Sequence, residues 1–256
     1  MLAIDWGTSS LRIYRLDSDG TVFDTRQSAR GILGVTDAAF ATVLEETAGD
    51  WIDADHAQII MSGMIGSRQG WKEASYVSCP AGLPEIASAM CPVQWTSDSG
   101  HTRSAQIAPG LRCVDESGVN DVMRGEEVQI LGILDHLGRG EQFVCLPGTH
   151  SKWARVRDNR VISFRTYMSG EVFAVLKQYS ILGRTLISAS AMEGDRFDEM
   201  AFQAGVARAG NPGGMLHHLF GVRAQVLSGN LAEASSASYL SGIIIGHELG
   251  SVANEV

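Results

Sequence analysis

The segment Ala3-Ile-Asp-Trp-Gly-Thr-Ser-Ser-Leu-Arg-Ile-Tyr-Arg15 predicts a strand, a tight turn and a returning strand. The first apolar run stops at Asp5, and apolar residues resume at Leu11, which places the turn between them. Gly7 lies in this interval and permits backbone angles that a side chain would forbid. After the returning strand, Asp19-Gly20 offers a second turn.

The first turn carries polar groups that suit a phosphate. Gly7, Thr8, Ser9 and Ser10 supply N–H donors and hydroxyls, and a backbone bent at Gly-Thr can surround a phosphate with them. Asp5, at the end of the first strand, could hold Mg²⁺ through water. The alternative is an ordinary hairpin, since Gly-Thr turns are common.

The same pattern occurs again at Val144-Cys-Leu-Pro-Gly-Thr-His-Ser-Lys-Trp-Ala-Arg-Val-Arg157. Gly148-Thr149 corresponds to Gly7-Thr8, and a strand and a further polar turn follow each pair. Two matching turns indicate two related domains that hold one nucleotide. A lone histidine is more often structural than catalytic, so His150 has a weaker claim than its neighbours. The second set of predicted phosphate-binding residues is Gly148, Thr149, His150, Ser151 and Lys152.

These motifs resemble those of a known superfamily. Asp5-x-Gly7-Thr8-Ser9-Ser10-x-Arg12 is similar to the first phosphate motif of sugar kinases, heat-shock chaperones and actin, and Gly148-Thr149 is similar to the second. Three further segments narrow the resemblance to the 2-dehydro-3-deoxygalactonokinase family, and it extends to about Glu248. They are Ser62-Gly-Met-Ile-Gly-Ser-Arg68, Asp121-Val-Met-Arg-Gly-Glu-Glu127 and Gly148-Thr-His-Ser-Lys-Trp153.

The resemblance implies an α/β fold with two actin-like, ribonuclease H-like domains and a cleft between them. We predict domains over residues 1–122 and 123–256. The resemblance also implies that ATP, with Mg²⁺, donates its γ-phosphoryl group to O6 of 2-dehydro-3-deoxy-D-galactonate, a step of galactonate breakdown. Two alternatives stay open: a non-catalytic sensor of nucleotide or sugar acid with the same fold, and a kinase for a related sugar acid.

Phosphoryl transfer needs a base for the acceptor hydroxyl and positive charge near the phosphates. Sugar kinases of this superfamily have a Gly-Asp pair at the start of the helix before the second phosphate turn, and Gly125-Glu126 stands there in this chain. Glu126 is therefore the first candidate base, and Asp121, a shorter carboxylate one turn upstream, is the second. Arg12 could neutralise developing charge or could be a solvated strand residue. The acidic residues could instead only complement a helix N-terminus.

The carboxylate of a sugar acid requires an arginine, or paired hydroxyl and N–H donors. Ser67 and Arg68 lie in a glycine-flanked loop after a predicted strand, where ligands of α/β sheets usually bind. They are therefore the preferred substrate-binding residues. Arg30, before a glycine, and Arg112 are weaker alternatives, and each of the three arginines could equally be a surface charge.

The composition favours a small-molecule partner. The 256-residue chain has a formal net charge of −9, whereas nucleic acid and anionic membranes require clustered Lys and Arg. No segment has the pattern of a signal peptide, and no apolar run approaches the ~18 residues of a membrane span. We therefore expect a cytoplasmic protein and leave a homodimer open. Four widely spaced cysteines suit reduced thiols: Cys79, Cys91, Cys113 and Cys145.

Helices are predicted from Thr36 or Asp37 to Trp51, over 125–136, from Ser169 towards Gly183, and at three apolar stripes after residue 196. Residues 76–95, which include Pro80 and Pro92, are predicted to be irregular or edge structure. The apolar run 107–112 is predicted to be a strand that ends in a turn, and residues 118–121 are predicted to lead to the helix over 125–136, with Val128 buried. Gly242, Gly246 and Gly250 lie at four-residue spacing, which suits close helix packing. Kinases of this superfamily cover the adenine with a strand, a glycine-containing loop and a helix downstream of a helix like 240–249. No such loop follows here, so either another part of the chain replaces the missing strand or the chain is shorter than the working enzyme. We favour the second interpretation and expect the chain to hold ATP weakly and to discriminate poorly between ATP and GTP.

Overall fold

A computed structural model of the chain describes residues 1–55, 58–97, 99–184 and 197–253. The strands are β1 (Leu2–Trp6), β2 (Leu11–Leu16), β3 (Val22–Ser28), β4 (Ile59–Ser62), β5 (Tyr76–Ser78), β6 (Ala81–Gly82), β7 (Cys91–Thr96), β8 (Thr102–Ile107), β9 (Gly110–Val114), β10 (Asn120–Met123), β11 (Gln142–Leu146), β12 (Ser151–Arg157) and β13 (Arg160–Tyr167). The α-helices are α1 (Phe40–Asp55), α2 (Leu83–Ser88), α3 (Glu126–Gly132), α4 (Ser169–Tyr179), α5 (Glu199–Ala209), α6 (Gly214–Leu227) and α7 (Ser236–Ala253). Together they confirm an α/β fold with mixed sheets.

The chain divides into two compact units. The first comprises Met1–Val144 and Ala154–Arg165, and the second comprises Cys145–Trp153 and Thr166–Val256. This division passes through β11, β12 and β13, which form a four-stranded sheet with β6. It differs from the predicted boundary between residues 122 and 123, because α3 and the strand that precedes it belong to the first unit.

A six-stranded mixed sheet forms the centre of the first unit, in the order β3-β2-β1-β4-β8-β7. β1 pairs antiparallel with β2 and parallel with β4, so that Asp5 lies opposite Arg12 on one side and beside Ser62 on the other. Alternate residues of β1 are buried in the core, which also contains apolar residues of α1. Each large apolar side chain buried in this way stabilises the fold by ~1.5–3 kcal/mol. The predicted first hairpin and the predicted helix α1 are confirmed.

The core of the second unit lies among three helices. Ala201 of α5, Val222 of α6 and Leu240 and Ile243 of α7 are buried in one cluster. α5 and α7 contact each other closely, and a Cβ at Gly242 would lie 2.0 Å from the Phe202 carbonyl oxygen. The predicted packing role of this C-terminal glycine is therefore confirmed. Among the described residues, no helix combines the length and apolar character needed to cross a membrane.

Residues 76–95 form β5, β6, α2 and the start of β7, and each of these three strands lies at the edge of its sheet, as predicted. Three features differ from the predictions. The apolar run 107–112 forms the end of β8 and the start of β9 rather than one strand, because Pro109 has no N–H to continue the pairing. Residues 120–123 form the strand β10, whereas residues 118–121 were predicted to be a connection that leads to a helix. Val128 of α3 was expected to be buried, but its side chain is 39% exposed.

Candidate functional site

The first Gly-Thr turn is a tight connection between β1 and β2. The Gly7 N–H donates to the Ser10 carbonyl oxygen at 2.9 Å, and this bond closes the turn. Thr8 and Ser9 at the tip are exposed. The structure therefore presents the predicted phosphate-binding residues on an accessible hairpin end.

A neighbouring segment braces this turn from behind. The N–H groups of Ile32 and Leu33 donate to the carbonyl oxygens of Gly7 and Thr8, at 3.0 and 3.2 Å. A side chain at Gly31 would bring a Cβ within 2.3 Å of the Thr8 carbonyl oxygen, so this close approach requires glycine. These contacts occupy the carbonyl groups of Gly7 and Thr8 and fix the backbone of the turn beneath its exposed tip.

Asp5 lies at the end of β1, where three segments of the first unit meet. Its Oδ2 accepts from Arg12 Nη1 at 3.2 Å, and the two side chains are 39% and 47% exposed. A Cβ at Gly63, which follows β4, would lie 3.3 Å from Asp5 Oδ1. A Cβ at Gly125, which precedes α3, would in turn lie 3.3 Å from Gly63 Cα. The predicted metal ligand, the predicted Arg12 and the start of the helix with the predicted base are thus brought together.

The three carboxylates near the start of α3 have different surroundings. Glu126 is partly exposed, and its Oε2 accepts from the Arg124 N–H at 3.1 Å. Asp121 lies on β10, and its Oδ1 accepts from the Val122 N–H at 2.7 Å. Glu127 is fully buried, and its Oε2 accepts from the Gly125 N–H at 2.7 Å. Of the two carboxylates on α3, Glu126 is therefore the more accessible one.

Burial raises the pKa of the Glu127 carboxyl to about 8, and the nearby negative charge of Glu126 acts in the same direction. Its Oε1 is buried without a hydrogen-bond partner among the described residues. Glu127 was not among the site residues predicted from the sequence. The available signal for its burial was helical spacing, since Ile130 and Leu134, three and seven residues after Glu127, are buried in the core.

Glu127 predicts a pH dependence of stability. Between the usual pKa of 4.5 and the folded-state value of about 8, the unfolded chain has released a proton that the folded chain retains. The free energy of unfolding should therefore fall as pH rises through this window, by at most ~1.4 kcal/mol per pH unit from this group. Glu127→Gln should flatten that slope in urea unfolding between pH 5 and 8. Asp24→Asn, which removes an exposed carboxylate on β3, is the control, and an unchanged slope in Glu127→Gln would contradict the assignment.

Arg124, which precedes Gly125 and the two glutamates, was also not among the site residues predicted from the sequence. Its Nη2 donates to the Ala74 carbonyl oxygen at 2.7 Å, and its guanidinium lies 4.3 Å from the centre of the Tyr76 ring. A Cβ at Gly66 would lie 2.8 Å from Arg124 Nη1, so this glycine makes room for the guanidinium. The arginine therefore fixes the loop after β4 to the segment before α3. Such a tertiary contact has no sequence motif.

The residues predicted to bind a sugar acid have separate partners. Arg68 is 88% exposed and pairs with Glu73 at 3.2 Å, and the Oγ of its neighbour Ser67 is buried without a hydrogen-bond partner among the described residues. The other two predicted arginines also contact nearby acceptors: Arg30 pairs with Glu46 at 2.5 Å, and Arg112 donates to Ser78 Oγ at 2.9 Å. The Arg68 side chain is 88% exposed, compared with 43% for Arg30.

The second Gly-Thr turn, in the second unit, is braced by the start of α4. The Glu171 N–H donates to the Thr149 carbonyl oxygen at 3.0 Å, and the Glu171 carboxylate lies 2.5 Å from His150 Nε2. A Cβ at Gly170 would lie only 2.5 Å from the Gly148 carbonyl oxygen. A glycine therefore backs this turn as Gly31 backs the first. Ser151 and Lys152 after the turn are buried.

A cavity of 320 Å³ lies beside the second turn. Its wall combines backbone at Gly148 with apolar side chains and a buried carboxylate, Glu248. Pockets of about 300–1,000 Å³ with apolar walls and a few polar groups are typical of small-molecule sites. The remaining lining residues are Cys145, Pro147, Ser151, Trp153, Ser169, Gly170, Phe173, Ser241, Ile244, Ile245 and Leu249.

The residues near the first turn suit Mg²⁺ better than a metal with a full protein ligand set. Among the described residues, no group of three His, Cys, Asp or Glu side chains could hold a metal ion. Mg²⁺ is commonly bound through one or two carboxylates together with waters and substrate phosphates. The half-exposed Asp5 carboxylate, next to a hairpin tip that suits phosphate, fits that pattern.

The fold and the site define an α/β protein in which each compact unit has a braced Gly-Thr turn between two strands. The chain belongs to the 2-keto-3-deoxy-galactonokinase family, whose model matches residues 5–256. The resemblance found in the motifs is thereby confirmed.

Two curated relatives and one solved structure are similar to the chain. The Rhizobium meliloti (strain 1021) protein named probable 2-dehydro-3-deoxygalactonokinase DgoK1 is 41% identical over 96% of this chain and 78% of its own length. The Escherichia coli (strain K12) 2-dehydro-3-deoxygalactonokinase is 34% identical over 100% of this chain and 81% of its own length. The crystal structure of a Sinorhizobium meliloti protein assigned as a 2-dehydro-3-deoxygalactonokinase superposes with a TM-score of 0.88 at 41% identity. It covers 98% of this chain and 81% of its own.

Proposed function

We propose that the chain is an ATP-dependent kinase that transfers the γ-phosphoryl group of ATP to O6 of 2-dehydro-3-deoxy-D-galactonate in galactonate catabolism. The observation that carries this proposal is the family match over residues 5–256, which includes both Gly-Thr turns and the start of α3. The alternative of a non-catalytic sensor is not favoured, because the curated relatives are named as kinases.

In the first unit, Asp5 would position Mg²⁺ and the N–H donors of the first turn would hold phosphate oxygens. Bound Mg²⁺ supplies positive charge that offsets the charge of the phosphates. Arg12 pairs with Asp5 in this structure, at 3.2 Å, and adds positive charge at the same end of β1. Its exposed guanidinium could turn from Asp5 to a phosphate oxygen, because both are anionic acceptors.

Glu126 is the proposed base. Its carboxylate would accept the proton of the O6 hydroxyl as that oxygen attacks the γ-phosphorus, and the γ-phosphoryl bond to the leaving ADP breaks. Two observations favour it over its neighbours: it is partly exposed at the first position of α3, and Gly125 before it contacts the segment beside Asp5. The fully buried Glu127 cannot reach a substrate.

In the second unit, the second turn would bind ATP phosphates and the 320 Å³ cavity would hold the nucleoside. The cavity's wall includes Phe173, Ile244 and Ile245, which can contact an adenine ring. Glu248 in the same wall repels phosphate, so the uncharged end of the nucleotide should enter. The finer prediction of two actin-like halves with the nucleotide in a cleft belongs to this proposal and is supported by the repeated sequence motif.

The cellular setting is also a proposal. We infer a cytoplasmic enzyme because its phosphoryl donor is ATP and because all four cysteines are free thiols, as is usual in a reducing compartment. Small molecules, ATP and a sugar acid, would be its partners. A homodimer and the lack of a nucleic-acid partner stay predictions.

A coupled assay of ADP formation tests the function. Purified protein with ATP and Mg²⁺ should form ADP only when 2-dehydro-3-deoxy-D-galactonate is added, and the product should carry phosphate at O6. The C4 epimer of the substrate is the matched control for a kinase of a related sugar acid, and faster turnover of that epimer would move the assignment. Binding of the sugar acid and ATP without ADP formation would identify a sensor.

Arg68 is predicted to recognise the substrate carboxylate. Arg68→Ala should raise KM for the sugar acid about tenfold, because a charge-assisted hydrogen bond contributes ~1.5–3 kcal/mol, and should leave KM for ATP unchanged. Arg112→Ala is the control, since Arg112 lies on β9 and donates to Ser78 on the neighbouring strand β5. Steady-state kinetics with each substrate varied measure both constants. A change in KM for ATP alone would assign Arg68 to the nucleotide.

A further inference from the structure

Glu248 of α7 is a buried carboxylate with three donors. Glu248 as a whole is 8% exposed. Oε1 accepts from Ser151 Oγ at 2.7 Å and from Trp153 Nε1 at 2.6 Å, and Oε2 accepts from Ser169 Oγ. Burial of a charge is unfavourable unless hydrogen bonds compensate for lost water, and here three bonds do so. The carboxylate is thus fixed in one position.

The three donors come from the two segments that flank the second turn. Ser151 and Trp153 belong to the start of β12, directly after the turn. Ser169 is the first residue of α4, and the next two residues brace the turn from behind through the Gly170 and Glu171 contacts. One carboxylate therefore holds both the segment that leaves the turn and the helix that supports it.

We infer that Glu248 is a positioning residue, which holds the second Gly-Thr turn in the geometry that binds the ATP phosphates without contacting them. This inference rests on the proposed kinase function. No sequence motif indicated this role, because Glu248 lies 97 residues after Ser151, far along the chain from the turn that it supports. The fold brings Glu248 close to the turn, because α7 forms part of the wall of the cavity beside Gly148.

The chemistry of the donors favours a carboxylate at this position. The Trp153 indole N–H can only donate, whereas each serine hydroxyl can also accept. A glutamine could accept from Trp153 through its single carbonyl oxygen and could donate its amide N–H to a reversed serine. Glu248→Gln should therefore keep part of the network, while Glu248→Ala leaves the indole N–H and two hydroxyls without their acceptor.

Steady-state kinetics of the two variants test the inference. Glu248→Ala should raise KM for ATP about tenfold or more and change KM for the sugar acid less than about twofold, and Glu248→Gln should lie between it and the unmodified chain. Ile243→Val, a truncation in the same buried helix, is the control and should lower the melting temperature without this separation. Loss of the indole hydrogen bond should also shift Trp153 fluorescence, taken as the difference from Trp153→Phe.

The possible results separate into clear groups. Equal changes in both KM values, or an unchanged KM for ATP in folded Glu248→Ala, would overturn the inference. If Glu248→Ala does not fold, Ser169→Ala and Ser151→Ala each remove one donor and should raise KM for ATP by a smaller factor. If the unmodified chain shows no turnover, the kinase proposal fails, and calorimetric ATP affinity of the same variants then decides the role of Glu248.

Discussion

Asp5→Asn should lower turnover by about 10²–10³-fold while the fold and the affinity for the sugar acid persist. The substitution preserves the size of the side chain and removes its charge. In the structure this carboxylate ends β1, is 39% exposed and contacts Arg12. An amide holds Mg²⁺ and its water shell less strongly than a carboxylate does, so phosphates and acceptor would be bound but poorly aligned. The measurement is kcat under saturating ATP and Mg²⁺, with sugar-acid binding measured by calorimetry.

Asp24→Asn is the matched control for this substitution. Asp24 is an exposed carboxylate on β3 of the same sheet, and its removal changes the net charge equally. Arg12→Gln distinguishes the metal-binding role of Asp5 from its ion-pair role, because this substitution removes the partner of Asp5 and keeps the carboxylate. Near-normal turnover of folded Asp5→Asn would show that Asp5 only closes an ion pair across two strands.

Local patterns predicted the parts of the fold that depend on neighbouring residues. Alternating apolar residues and a glycine identified both strand pairs with Gly-Thr turns, and helical spacing identified α1, α4 and the three C-terminal helices. The same patterns failed for Val128, which is exposed although its spacing suits a buried helix face. Which face of a short helix is buried depends on what packs against it, and that information is not local.

The candidate site residues also divide into those that local motifs predict and those that depend on contacts between distant segments. Asp5, Arg12 and the turn residues belong to short motifs, and the structure brings Asp5 and Arg12 into contact. The residues that support the turns do not belong to motifs. Gly31 and Gly170 are adjacent to the turns only in three dimensions, and their importance appears in backbone distances that leave no room for a Cβ. Sequence motifs therefore predict the residues of the two turns more readily than the residues that hold those turns in place.

Glu126→Gln should lower turnover by ~10²-fold or more with a modest change in the affinity for both substrates, because it removes the base and preserves shape. Asp121→Asn should have a smaller effect. The structure gives a reason for this ranking: Glu126 begins α3 beside Gly125, which contacts Gly63 next to Asp5, whereas Asp121 lies on β10. Rapid-mixing measurement of the chemical step, with both substrates saturating, separates loss of the base from slower product release.

Glu127→Gln provides the control that this comparison requires. Both glutamates accept a backbone N–H just before α3, at 3.1 Å for Glu126 and 2.7 Å for Glu127, so each substitution could disturb the helix start. Only Glu126 is accessible to a hydroxyl. A large loss in Glu126→Gln with a small loss in Glu127→Gln therefore assigns the proton transfer to Glu126. Comparable losses in the two variants would instead show that both act by holding Gly125, and a larger loss in Asp121→Asn would move the base to β10.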